Sequence, residues 1–150
     1  MNQTIKDFEN NFNFHLYFID GNHENFDLLK QLPQNELGMG IVSEHIYHLR
    51  RGRTYNIQNK NILALGGADS VDKFRRIENL SWWKDERITN NDIKDIDTTI
   101  EYDYVLSHCC PYSVFENNKI HLCTLGNIVD DENEDFHVSE KQLEQVKNKI

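Results

Sequence analysis

The sequence predicts an α/β fold, and three observations carry the prediction. Short apolar runs stand at Leu16–Ile19, Ile62–Leu65 and Tyr102–Ser107. Segments of helical period separate or flank them. Each run also leads into small or polar residues: Asp20-Gly21-Asn22-His23-Glu24, then Gly66-Gly67-Ala68-Asp69-Ser70, then His108. In a parallel α/β sheet the loops leaving the carboxyl ends of strands converge on one crevice. Those loops are where a site is expected.

Taken in order, Ile5, Phe8 and Phe12 recur at helical spacing and predict a helix over residues 3–12. A strand follows over His15–Asp20, then a helix over Phe26–Leu32 that Pro33 stops. Ile46–Leu49, Thr54–Ile57 and Ile62–Leu65 read as strands, parted by turns at Arg51-Gly52 and Gln58-Asn59-Lys60-Asn61. The third is almost wholly apolar, which predicts burial on both faces. Asp72–Ile77 and Asp92–Ile100 are expected to be helical, the latter with Ile93, Ile96 and Ile100 on one face. Tyr102–Ser107 reads as a buried strand ending at His108. Lys119–Thr124 alternates like an edge strand, and Asp130–Asp135 is an acidic loop. Ser139 and Gln142 have the spacing of a capping box for the last helix, with Val138 and Leu143 as a hydrophobic staple.

The chain has 150 residues, which suits a single domain over residues 1–150. Lys and Arg number 16 against 25 Asp and Glu, a net charge of −9. That balance argues against a general nucleic-acid surface or an anionic-membrane surface. Two short basic clusters, Arg50-Arg51-Arg53 and Arg75-Arg76, fit either local steering of a phosphate or solvated strand and helix faces. No apolar run approaches the ~20 residues that span a bilayer, and no signal-peptide pattern opens the chain. Three cysteines without framework spacing point to a reducing compartment, hence the cytoplasm.

The chemistry concentrates at Asn22, His23 and His108. An amide oxygen and an imidazole both suit divalent cations and phosphate. A lone histidine is more often structural, but His23 and His108 each follow an apolar strand. A zinc cluster of His108, Cys109, Cys110, His121 and Cys123 lacks Cys-x-x-Cys spacing. Trp82 and Trp83 read as an aromatic wall or as core.

Four stretches in this order, FIDGNHEN (18–25), LGGADSVDKFRR (65–76), SWWKDE (81–86) and DYVLSHCCP (103–111), resemble the calcineurin-like metallophosphoesterases, in particular small bacterial and phage members. The resemblance spans about residues 14–111. It implies a four-layer α/β/β/α sandwich with mixed sheets and two divalent ions, Mn, Fe or Zn, at the strand ends. The reaction implied is hydrolysis of a phosphomonoester or phosphodiester by metal-activated water. Asn22 and His108 would ligate the second metal, and His23 would act on the phosphoryl group or the leaving oxygen. Apart from the resemblance, Asp69 in its small-residue loop, and Arg75 or Arg76, are candidates to stand near substrate, against helix capping for Asp69 and helix-surface charge for the arginines.

The sequence also departs from that family. It contains neither Gly-Asp-x-His nor Gly-Asp-x-x-Asp, the blocks that bring the first metal's ligands and the bridging carboxylate, nor the closing Gly-His-x-His. It reads as an internal piece of the domain that lacks a segment or partner chain. Asp20, Asp69 and Glu24 are conceivable replacements; Asp20 better suits shaping a turn, and Asp69 capping a helix. The alternative function is a non-catalytic remnant or split-protein half with only an interaction role.

Overall fold

A computed structural model of the chain describes residues 3–117 and 138–150, without the side chains of 115–117, 138 and 140. The strand expected at Lys119–Thr124, the acidic loop Asp130–Asp135, and His121 and Cys123 lie outside the described residues.

The protein is mixed α/β, with two small mixed sheets. In chain order the elements are α1 (Gln3–Asn11), β1 (Leu16–Phe18), α2 (Phe26–Gln31), β2 (Gly40–Ile41), β3 (Ile46–His48), β4 (Arg53–Ile57), β5 (Lys60–Leu65), α3 (Asn90–Ile93), β6 (Tyr104–Ser107), α4 (Tyr112–Asn117) and α5 (Val138–Lys147). Single 3-10 turns stand at Lys73–Arg75 and Lys84–Glu86. One sheet has the order β1-β3-β2, with β1 parallel and β2 antiparallel to β3. The other has the order β4-β5-β6, an antiparallel hairpin extended by the parallel β6.

Alternation along β5 explains the layering. Successive side chains leave a strand on opposite faces. Ala64 joins Met39, Leu49 and Tyr55 in a core that Tyr17, Tyr47 and Leu106 complete, so the two sheets pack against each other. Leu63 and Leu65 face the other way, into Ile88, Ile93, Leu143 and Val146, so α3 and α5 cover the second face. Leu63, Ala64 and Leu65 are at most 1% exposed, as the apolar run predicts. Both sheets thereby aim parallel strand ends at one place: β1 runs into Asn22, β5 into Gly66 and β6 into His108.

Several elements differ from expectation. The β4–β5 turn is a two-residue loop, because Ile57 pairs with Lys60 and Asn61 with Asn56. Gln58 and Asn59 both take positive φ (52° and 61°), the condition for a type I′ hairpin turn. The helix expected over Asp72–Ile77 is only the 3-10 turn: the Ser81 hydroxyl accepts the Ile77 N–H at 3.0 Å, the bond a helix would need. The helix expected to Ile100 stops at Ile93. Downstream, Asp97 accepts from the Thr99 N–H and hydroxyl at 2.9 and 2.6 Å, a local turn that competes with helix.

β6 is not buried. Tyr104 is 55% and Val105 44% exposed, since this strand is the edge of its sheet. The capping box also fails. α5 begins at Val138, and the Ser139 hydroxyl accepts from the Ile88 N–H at 3.1 Å. The Gln142 side-chain oxygen is buried without a partner among the described residues.

Candidate functional site

The loops after β1 and β5 are stitched together through the backbone. The Gly67 N–H donates to the Asp20 carbonyl at 2.8 Å, and the Ala68 N–H to the Glu86 carbonyl at 3.0 Å. On this frame the amide of Asn22 is oriented by a relay. Glu86, only 2% exposed, accepts from the Ser70 N–H at 2.7 Å and from the Ser70 hydroxyl at 2.6 Å. With its proton committed there, the Ser70 oxygen accepts from Asn22 Nδ2 at 3.0 Å. Asn22 Oδ1 is thereby left facing His108, whose Nε2 lies 3.2 Å away. The sequence separation is 86 residues, so the structure brings together the two side chains singled out as metal ligands.

The His108 ring closes over Gly21. A Cβ there would stand 2.9 Å from His108 Cε1, so only glycine permits this approach. Gly66 has the same role for Asp20: an added Cβ would lie 2.5 Å from Asp20 Oδ1.

Asp20 does more than shape a turn. It is 2% exposed. His48 Nε2 lies 3.1 Å from its Oδ1, and Arg51 reaches Oδ2 through Nε at 2.6 Å and Nη2 at 2.5 Å. Burial by itself pushes this carboxyl's pKa up. The His48 hydrogen bond and the charge and bonds of Arg51 outweigh burial and hold it below its ordinary value. The Arg51 guanidinium also donates to the carbonyls of Arg87 and Glu86 at 3.0 and 3.1 Å. It thus ties the β1 loop to the segment that holds Ser70. Of the two readings of its cluster, the solvated face does not hold for Arg51, whose side chain is 10% exposed.

His23 is exposed beside the Asn22–His108 pair in sequence, and its neighbour is Arg76. One Arg76 nitrogen lies 2.8 Å from His23 Nδ1 and 3.0 Å from Nε2. The lone pairs of those two atoms diverge, so the contact is a cation resting against the ring and not a pair of hydrogen bonds. Asp72 holds the same guanidinium at 2.8 and 3.0 Å.

The structure separates Asp69 and Arg75 from the Asn22–His108 pair. The Asp69 side chain is 6% exposed, bound by Arg87 Nε at 2.5 Å, and accepts the Ser139 N–H of α5 at 2.9 Å. Arg75 lies over the Phe74 ring, 5.2 Å from its centroid, and Arg76 is the arginine beside His23. Trp83 is core, 7% exposed, with its indole N–H on Asp27 at 2.9 Å. Cys109 points its thiol at the Gly67 carbonyl at 3.5 Å.

Among the described residues no group of three His, Cys, Asp or Glu side chains could hold a metal ion. Asn22 and His108 supply two neutral donors and no carboxylate. They fit one edge of a coordination shell and do not fit a two-metal centre.

Ser70 and Glu86 are the residues that sequence reasoning missed. Their signals were the small-residue loop after β5 and an acid inside an aromatic segment, neither of which specifies a partner. Among the described residues no helix is long and apolar enough to cross a membrane. No family model, no curated protein and no solved structure matches the chain.

Proposed function

We propose that this chain is a metallophosphoesterase-type domain. Its strand-end residues are arranged for hydrolysis of a phosphomonoester or phosphodiester by metal-activated water. The observation that carries this reading is the 3.2 Å between Asn22 Oδ1 and His108 Nε2. Two donors each ~2.1 Å from one divalent cation stand about 3.0–3.4 Å apart across an octahedral or tetrahedral edge. The relay Glu86–Ser70–Asn22 supports it, because it holds a neutral amide oxygen toward the imidazole. Asn22 and His108 would hold one divalent ion (Mn, Fe or Zn), which supplies Lewis acidity, and exposed His23 with Arg76 would meet a phosphoryl group. We infer the fuller α/β/β/α sandwich from the same reading; the contact between the two sheets and the α3–α5 cover on one of them support it.

A second reading, a remnant with no catalysis of its own, is favoured by the donor count. Two neutral ligands leave a cation's charge uncompensated, and the bridging carboxylate that lets two cations sit together is not among the described residues. For the isolated chain this reading prevails.

Two measurements test the pair. Added Mn²⁺ is expected to broaden the NMR signals of Asn22 and His108 selectively; uniform or absent broadening removes the metal assignment. Hydrolysis of p-nitrophenyl phosphate esters with Mn²⁺ is expected to stay at background. Turnover that disappears in His23→Ala and His108→Ala would overturn the remnant reading.

A further inference from the structure

A second cavity, of about 300 Å³, opens between α2 and the turn that joins β3 to β4. Its wall is cationic in a chain of net charge −9, and the pairing of its charges is uneven. All three carboxylates on the wall are already engaged. Asp20 holds His48 and Arg51, Asp85 holds Lys30 at 2.8 Å, and Asp92 accepts from the Thr89 N–H and hydroxyl at 2.7 and 2.6 Å. Arg50 and Arg53 line the same wall, and neither has an ion pair among the described residues.

Two buried polar atoms of residues on this wall also lack partners among the described residues. Arg50 spends Nη2 on the Leu32 carbonyl at 3.2 Å, but its Nε is buried with none there. His48 is 6% exposed. Its Nε2 faces an ionised carboxylate, which can only accept, so Nε2 carries the proton. Its Nδ1 is buried and unpartnered. A buried donor or acceptor left unsatisfied is costly, and two beside arginines that have no ion pair among the described residues point to a missing polar ligand.

We propose that this cavity binds a phosphate-class oxyanion, held by Arg50 and Arg53 against the buried His48. Guanidinium groups suit tetrahedral oxyanions because their N–H forks match two oxygens at once. The His48 Nδ1, the acceptor in that tautomer, pairs with the anion through the anion's own proton. The ligand is free phosphate or the phosphoryl end of a small ester; the two share this chemistry. The site is separate from the Asn22–His108 pair, and neither assignment rests on the other.

The test is a titration of the purified chain at constant ionic strength, followed by NMR of the arginine Nε–H signals. One arm uses inorganic phosphate and the other phenyl phosphate. Saturable shifts are expected at Arg50 and Arg53. Arg53 is exposed, so its variants should keep the fold: Arg53→Gln should bind about tenfold more weakly, and Arg53→Glu not at all. Asn22→Ala and His108→Ala should bind as the parent does. Tighter binding of phosphate assigns the free anion and tighter binding of phenyl phosphate the ester, and either supports the site. Non-saturating shifts, unchanged binding in Arg53→Glu, or shifts centred on Asn22 and His108 would overturn it.

Discussion

Replacing Arg51 with methionine keeps an aliphatic chain of similar reach and deletes the guanidinium that bridges two loops. The substitution leaves the Asp20 carboxylate, with 3% of its side chain exposed, buried with His48 as its remaining polar partner among the described residues. It also strips a donor each from the Arg87 and Glu86 carbonyls. Removing one partner of a buried pair costs about 3–5 kcal/mol. A carbonyl's hydrogen bond is worth about 1 kcal/mol net, and such losses overlap within one network, so about 4 kcal/mol is expected in all. Against a typical total of about 5–15 kcal/mol this is a large share, and it lowers Tm by about 8–16 °C at this chain length. The assay is equilibrium urea unfolding followed by tryptophan fluorescence at several pH values. In the parent the folded pKa of Asp20 is lowered. Its contribution is therefore complete above the unfolded value of about 3.9 and is lost as pH falls through the lower folded value. In the variant burial is no longer outweighed and the folded pKa rises. The variant therefore regains stability as pH falls toward that raised value. The gap between the two proteins is thus widest near neutrality and narrows toward about pH 4. A deficit below about 1 kcal/mol at neutral pH, or a gap that widens on acidification, would refute the assignment of Arg51 as Asp20's essential counter-charge.

Three further substitutions have defined outcomes. Ser70→Ala removes the link between Glu86 and Asn22; a loss of about 1–3 kcal/mol is expected in thermal unfolding, with weaker Mn²⁺ broadening at Asn22. Gly66→Ala places a Cβ 2.5 Å from Asp20 Oδ1 and 2.7 Å from its carbonyl oxygen. Neither atom can retreat from its partners, so a loss near about 3 kcal/mol is expected and normal stability would contradict the packing. Trp83→Phe loses the indole bond to Asp27, and a drop of about 1 kcal/mol or more should appear in urea unfolding.

The alternation of strands and loops was legible because β3, β4 and β5 carry apolar residues at period two or in unbroken runs, and the turns between them hold Gly and Asn. The positions of Asn22 and His108 followed from their places after apolar strands. What escaped was decided by side-chain bonds that leave no periodic trace. Ser81 captures the Ile77 N–H and ends a helix that composition favours. Asp69 looked like a loop residue near substrate, yet it is occupied by Arg87 and by α5, 70 residues away in sequence. Arg75 and Arg76 are adjacent, and only the course of the backbone decides which one meets His23. Asp20 was read as local because its neighbours suggest a turn; its partners are 28 and 31 residues downstream.

The span of those contacts bears on how the chain folds. Arg51 clasps groups 31, 35 and 36 residues away, on both sides of it in sequence, and Asn22 meets His108 across a sequence separation of 86 residues. Closing such loops costs entropy before any contact returns stability, so these bonds belong to the slow, non-local part of folding. The amide of Gly67, whose acceptor is the Asp20 carbonyl, is then released to hydrogen exchange when the loops after β1 and β5 separate. A nascent chain holds Asn22 long before it holds His108. The contact between the two strand-end loops therefore forms only after residue 108 has been made.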